Sequence, residues 1–335
     1  MKMAKSYNST EYMYSSARIR ALETKIASRE QIARMAEAQS SENIVAQLSD
    51  FGFDVVYSGG KLSREDTLMS VLKAGFSDLA GMECAQAVEF LKYQYDCNNI
   101  KSLIKCGARG ISADGMLLDL GSVSVDRARD AFATKDYSVF PENMAAAIPE
   151  AEEAFAATAN PQKIDFIIDK ATFADMLRTA SECGVPLARE LALARIDLVN
   201  ITMAARLIRM KLGAQAGALF DEVYIEGGTL EKDVLSEAIS ESNQALADML
   251  EYSSYSAMSE LIASDASLGT LEKKADDIWI GIARKACYVP FGAEVAIGYI
   301  CALEYEVKNI RIILAGKDAG LSSDTIRERL RECYV

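Results

Sequence analysis

Acid and amide side chains at a fixed spacing are the first feature of this sequence that could do chemistry. An acid followed three residues later by Asn-Ile occurs three times, as Asp96 with Asn99-Ile100, Asp197 with Asn200-Ile201 and Glu306 with Asn309-Ile310. Three residues apart on a helix, the acid and the amide share one face, where they can bond to each other or reach across to a neighbouring element. Asn is a weak helix former that gains little mid-helix unless its amide is used. The pairs are therefore read as polar pins that fix how each long helix meets its neighbours, with the asparagines buried and hydrogen-bonded.

The remaining candidates for chemistry are weaker. Asp276-Asp277 beside the sole tryptophan, Trp279, is the best acidic pair for an all-α magnesium-dependent enzyme, but Ile280 stands where a D-D-x-x-D pattern needs its third acid. Asp165, Asp169 and Asp175 lie opposite Phe166, Ile167 and Leu177 in the segment 164–183 and read as a solvated face, not a metal site. The chain has no histidine. That excludes Ser-His-Asp, Cys-His and His-rich zinc chemistry. Seven cysteines, at 84, 97, 106, 183, 287, 301 and 333, form no C-x-x-C pair and fit reduced thiols in a cytosolic chain. No G-x-x-x-x-G-K-[ST] phosphate loop is present, so ATP is not expected to bind. No catalytic residue, cofactor or metal is assigned.

The elements that must position the three pairs are long helices. Phe90, Leu91, Ile100, Leu103 and Ile104 follow an i, i+3, i+4 pattern around the first pair, and Leu193, Ile196, Ile201, Leu207 and Ile208 do so around the second. The three asparagines are 101 and 109 residues apart, which points to three similar units of about a hundred residues. Glycine junctions open new helical stretches at Gly121-Ser-Val-Ser-Val-Asp126 and Gly228-Thr-Leu-Glu-Lys-Asp233, placing the units at 1–120, 121–227 and 228–335. Residues 11–38 read as helix, with Tyr14…Arg18-Ile19-Arg20 echoing Tyr305…Asn309-Ile310-Arg311 as a partial fourth copy and Ser28 as a helix N-cap. Helices are also expected at 43–48 and 66–75, separated by the turn Tyr57-Ser-Gly-Gly60, and at 83–105, stopped by Gly107 and Gly110. Pro141, Pro149 and Pro161 punctuate alanine-rich helical segments, and Pro186 precedes the second long helix to Met210. Residues 243–250, 254–263, 271–286 and 322–330 add helices in the last unit, and only Leu219 to Glu226 reads as strand. The fold class is all-α.

A net charge of −13 and a pI near 4.7 argue against a nucleic-acid partner and against adsorption to an anionic leaflet. The polar opening Met1–Tyr14 does not read as a signal peptide, and the apolar stretch 288–303 is too short to span a bilayer and carries Glu294. Basic cytoplasmic loops of membrane proteins, by contrast, would attract an acidic face.

The run Pro290-Phe-Gly-Ala-Glu-Val-Ala-Ile-Gly-Tyr-Ile-Cys-Ala-Leu-Glu-Tyr-Glu-Val-Lys-Asn-Ile-Arg-Ile-Ile-Leu-Ala-Gly-Lys-Asp-Ala-Gly-Leu321, with Tyr12-Met-Tyr-Ser-Ser-Ala-Arg-Ile-Arg20 and Tyr95-Asp-Cys-Asn-Asn-Ile-Lys101, resembles the C subunit of the vacuolar/archaeal-type (V/A-type) rotary ATPases. That family is called the d subunit in eukaryotes and is distinct from the eukaryotic stator protein that also bears the letter C. The resemblance spans essentially the full length. It implies three similar helical domains around a pseudo-threefold axis, forming a funnel-shaped socket. It also implies a protein without catalysis, peripheral on the cytoplasmic face of the membrane, that joins the central stalk to the membrane rotor ring. The second copy departs from the pattern, with Ile196 where the others have Tyr95 and Tyr305. A generic helical-repeat adaptor is the bland alternative, disfavoured because solenoid repeats run to about 20–50 residues.

Overall fold

The structure is a computed structural model that describes residues 9–58, 61–212 and 215–335. In chain order the α-helices are α1 (Met13–Glu23), α2 (Arg29–Met35), α3 (Ser41–Gln47), α4 (Arg64–Leu79), α5 (Glu89–Arg109), α6 (Val125–Thr134), α7 (Glu142–Thr158), α8 (Pro161–Glu182) and α9 (Pro186–Arg209). They continue as α10 (Gln215–Val223), α11 (Lys232–Glu241), α12 (Asn243–Glu251), α13 (Ser259–Ala263), α14 (Leu268–Ala283), α15 (Ala293–Asp318) and α16 (Ser323–Arg329). The fold is all-α. Among the described residues the sheet content is one hairpin, Tyr57 opposite Leu62 and Ser58 opposite Lys61. Of the turn Tyr57-Ser-Gly-Gly60 expected between α3 and α4, Tyr57 and Ser58 form the first strand of this hairpin, and Gly59 and Gly60 lie outside the described residues, as does most of the polar opening segment, residues 1–8.

Residues 89–268 form one compact unit. Its centre is α8, against which α5, α7 and α9 pack. Helix α8 starts where the Asn160 side chain accepts the Gln162 N–H and Pro161 takes the first helical position, where its missing N–H costs nothing. The buried stripe of α8 is Ile164, Ile168, Ala171, Met176 and Ala180, and α9 buries Leu191, Ile196, Ile201, Ala204 and Leu207. Pro149, read from sequence as punctuation, sits inside α7. Buried Met144, Ile148 and Ala151 hold that helix in place despite one missing backbone bond.

Residues 9–88 and 269–335 form the second unit, organised on α15. This helix is apolar nearly all round, burying eighteen of its twenty-six residues under α1 to α4 and α16. Close approach is set by small residues: a Cβ on Gly75 of α4 would come within 2.5 Å of Leu303.

Three expectations need correction. The stretch Leu219 to Glu226 is not a strand: α10 takes it to Val223, because Ala216, Phe220 and Val223 fall at helical spacing and are buried. Residues 11–38 are not one helix, since the chain leaves α1 after Glu23 and restarts at the Ser28 cap of α2. Helix α5 runs through Gly107 to Arg109, and the chain turns at Gly110, whose φ of 63° is the left-handed value that glycine adopts without strain. No described helix is long and apolar enough to cross a membrane.

Candidate functional site

The three asparagines do one job in the same way. Asn99 is buried on α5; its Nδ2 donates to Leu118 O at 2.8 Å and its Oδ1 accepts Leu118 N–H at 2.8 Å. Asn200 on α9 brackets Ile225 with bonds of 2.8 and 3.0 Å. Asn309 on α15 brackets Arg331 with bonds of 3.1 and 2.8 Å. Each side-chain amide thus satisfies both polar groups of one backbone residue, as a strand neighbour would, and stitches a loop to a helix flank without any sheet.

The acids, one turn earlier, grip the next stretch of loop. Asp96 is fully buried. Its Oδ2 accepts from the backbone and hydroxyl of Ser122 at 2.8 and 2.6 Å, and its Oδ1 accepts Val123 N–H at 3.2 Å. Asp197 accepts from Thr229 N–H at 2.8 Å, the Thr229 hydroxyl at 2.5 Å, Leu230 N–H at 3.1 Å and the Tyr255 hydroxyl at 2.7 Å. A glycine precedes each grip, and a Cβ on Gly121 or Gly228 would lie 2.1 Å from the carboxylate oxygen. Immediately after the grip a helix starts, α6 behind the Ser124 cap and α11 behind Glu231.

The third acid is placed differently. Glu306 accepts Ala27 N–H at 2.7 Å, from a turn 279 residues earlier in the chain, and its other oxygen is buried without a partner among the described residues. Ala27 precedes the Ser28 cap of α2, as Val123 and Leu230 precede the starts of α6 and α11. In that register Ile26 replaces Ser122 and Thr229, and Lys25 replaces the glycine. Burial pushes the Glu306 carboxyl up to about 8, opposed only by the Ala27 N–H. Burial also raises Asp96, against the opposing bonds of Ser122 and Val123.

Sequence reasoning singled out the six residues of the acid and amide motif and did not single out Ser122, Thr229, Tyr255 or Ala27. The repeated Gly-Ser-Val and Gly-Thr-Leu at the two glycine junctions was the available signal for the first two. The echo at Tyr14…Arg18 has no clamp geometry: Tyr14 is exposed and Arg18 pairs with Asp78 at 3.0 Å.

Two acidic groups also need correction or closer reading. Asp175 is not on a solvated face: it is fully buried and accepts from Asn143 N–H, Asn143 Nδ2, Met144 N–H and Arg178. Pro141 offers α7 no capping side chain, so Asp175 serves the open N–H groups of that first turn from α8. Asp165 and Asp169 pair with Lys105 and Lys101, each at 2.5 Å. Asp276 is buried between Lys308 at 2.7 Å and Arg331 at 2.9 Å, with the Tyr305 hydroxyl on its carbonyl, while Asp277 accepts Glu332 N–H. Tyr305 in turn stacks on Trp279 at 5.7 Å. A carboxylate already neutralised by two cations is a poor metal ligand.

Chemically, the clamp carboxylates of Asp96 and Asp197 are fully buried and spend their bonds on loops, Asp96 on three donors and Asp197 on four. The sequence matches the family described as ATP synthase (C/AC39) subunit over residues 15–329, and the chain belongs to that family. It is 25% identical to the C subunit of the V-type sodium ATPase of Enterococcus hirae over 285 residues, covering 84% of each chain. It is 25% identical to the C subunit of the A-type ATP synthase of Methanocaldococcus jannaschii over 346 residues, covering 95% of this chain and 86% of the relative. It is 21% identical to the C subunit of the V-type ATP synthase of Thermus thermophilus over 252 residues, covering 74% and 75%. It is therefore a subunit of the V/A-type rotary ATPase class, a structural part of an enzyme complex.

Proposed function

We propose that the chain is a non-catalytic rotor subunit that couples the central stalk of a V/A-type rotary ATPase to its membrane rotor ring, for proton or sodium transport. The observation that carries this reading is the family membership over residues 15–329 together with clamps whose acids point inward. A part that transmits torque must resist bending, and loops riveted to long helices by paired buried bonds supply stiffness without a reactive group. In this reading the clamps mark three units, 1–120, 121–227 and 228–335, set around a pseudo-threefold axis as a socket, and the third unit is completed by the N-terminal turn that Glu306 holds. The protein sits on the cytoplasmic face, docked to protein and not to lipid, because a chain at −13 is repelled by an anionic leaflet.

The test is co-purification of the full chain with the stalk subunits and with the detergent-solubilised ring, at low and high salt. Binding to both is expected, with at least one contact weakened by salt. Failure to bind either at any salt concentration would sink the reading. Binding to anionic liposomes alone would refute the docking argument.

A further inference from the structure

Glu306 does with one bond what Asp96 does with three and Asp197 with more. The Ala27 N–H reaches one of its oxygens at 2.7 Å, and the other is buried with no partner among the described residues. Ile26 brings no hydroxyl, and its own N–H is already given to Glu23 O.

Among the described residues, no cation is bonded to Glu306 to balance a charge. Tyr299 on α15 and Cys333 near the C-terminus interact electrostatically with Glu306, and neither is a cation. From α1 come Arg20 and Glu23, bonded to each other at 2.6 Å, and from α4 comes Asp78, paired with Arg18. Arg29 of α2 and Arg284 ahead of α15 are both directed at Glu332, and Glu30 and Arg34 of α2 are exposed. On α3 and α16, Glu42 is paired with Arg64, and Arg327 with Asp324 and Glu37. None of these groups bonds Glu306.

We propose that Glu306 is a proton-operated catch: the turn at residues 26–28, and helix α2 that starts from it, stay closed while the carboxyl holds its proton and open to water when it ionises. A neutral acid can lie in this site with one oxygen accepting Ala27 N–H, whereas a carboxylate would leave half its charge buried without a donor. Burial pushes this carboxyl up to about 8 from an ordinary value of 4.5. Between those two values the closed form keeps a proton that the opened form has lost, so closure weakens as pH rises through the window and levels off above it. The carboxylates of Asp96 and Asp197 keep their donor sets, so their loops stay shut over the same range.

Hydrogen exchange on the full chain from pH 6 to 9, corrected for the intrinsic pH dependence of amide exchange, tests this. Protection of residues 27–35 is expected to fall by about tenfold or more, while residues 118–123 and 225–230 hold theirs. Glu306→Gln is expected to keep at pH 9 the protection that the native chain shows at pH 6. Ile26→Thr, which restores a hydroxyl donor, is expected to shrink the fall. A flat native profile would overturn the proposal without recourse to any variant. So would a Glu306→Gln chain that follows the native profile or is open at every pH, or an Ile26→Thr chain whose fall is undiminished.

Discussion

Asn99, Asn200 and Asn309 each close two bonds on one backbone residue, but the acids beside them divide by region. Within residues 89–268, Asp96 and Asp197 grip loops that follow 26 and 32 residues later and bring a hydroxyl, N–H groups and a glycine to the carboxylate. Within residues 9–88 and 269–335, Glu306 grips a turn from the other end of the sequence that brings one N–H. The difference shows which half of the motif depends on its partner. An amide needs only a backbone residue, which every loop supplies. A buried carboxylate needs several donors and space for close approach, and where these are missing it stays protonated.

The largest expected effect comes from removing a saturated acid. Asp197→Ala strands the N–H groups of Thr229 and Leu230 and the Tyr255 hydroxyl, and is expected to cost about 3–5 kcal/mol in urea unfolding. Glu306→Ala is expected to cost clearly less at pH 9, where the native charge is itself a burden. Equal losses would erase the contrast between the regions.

Asn200→Leu removes both bonds to Ile225 and is expected to cost about 3 kcal/mol while leaving partner binding of the surviving folded chain unchanged. Unchanged stability with lost binding would instead make the motif a contact surface. Gly228→Ala forces a methyl onto the Asp197 carboxylate and is expected to cost about 2 kcal/mol by thermal unfolding. The equivalent change where the register has Lys25 has no such target, so Lys25→Ala is expected to be neutral. The smallest loss expected of a clamp bond is that of Tyr255→Phe, about 1 kcal/mol, because Asp197 retains three other bonds. A loss as large as that of Asp197→Ala would make the tyrosine the principal donor.

Much of this was legible in the residues. The long helices follow from apolar spacing, and the clamps follow from an acid and an amide recurring on them, since a buried asparagine mid-helix has to spend its amide somewhere. Two readings failed where local pattern met tertiary demand. Leu219 to Glu226 has strand-like residues, but Phe220 and Val223 had a helical stripe to complete, and Ile225 beyond the helix was claimed by an asparagine side chain instead of a strand. Asp175 looks like one more acid on a charged face, yet the uncapped start of α7 drew it inside.

The sequence by itself determined helix and the spacing of the recurring acid and amide, because helical periodicity and residue chemistry act over a few neighbouring positions. It could not say which loop each pin holds. That was decided by tertiary structure, which alone brings Ala27 to Glu306 across 279 residues, denies the acid a second donor and so sets its proton affinity.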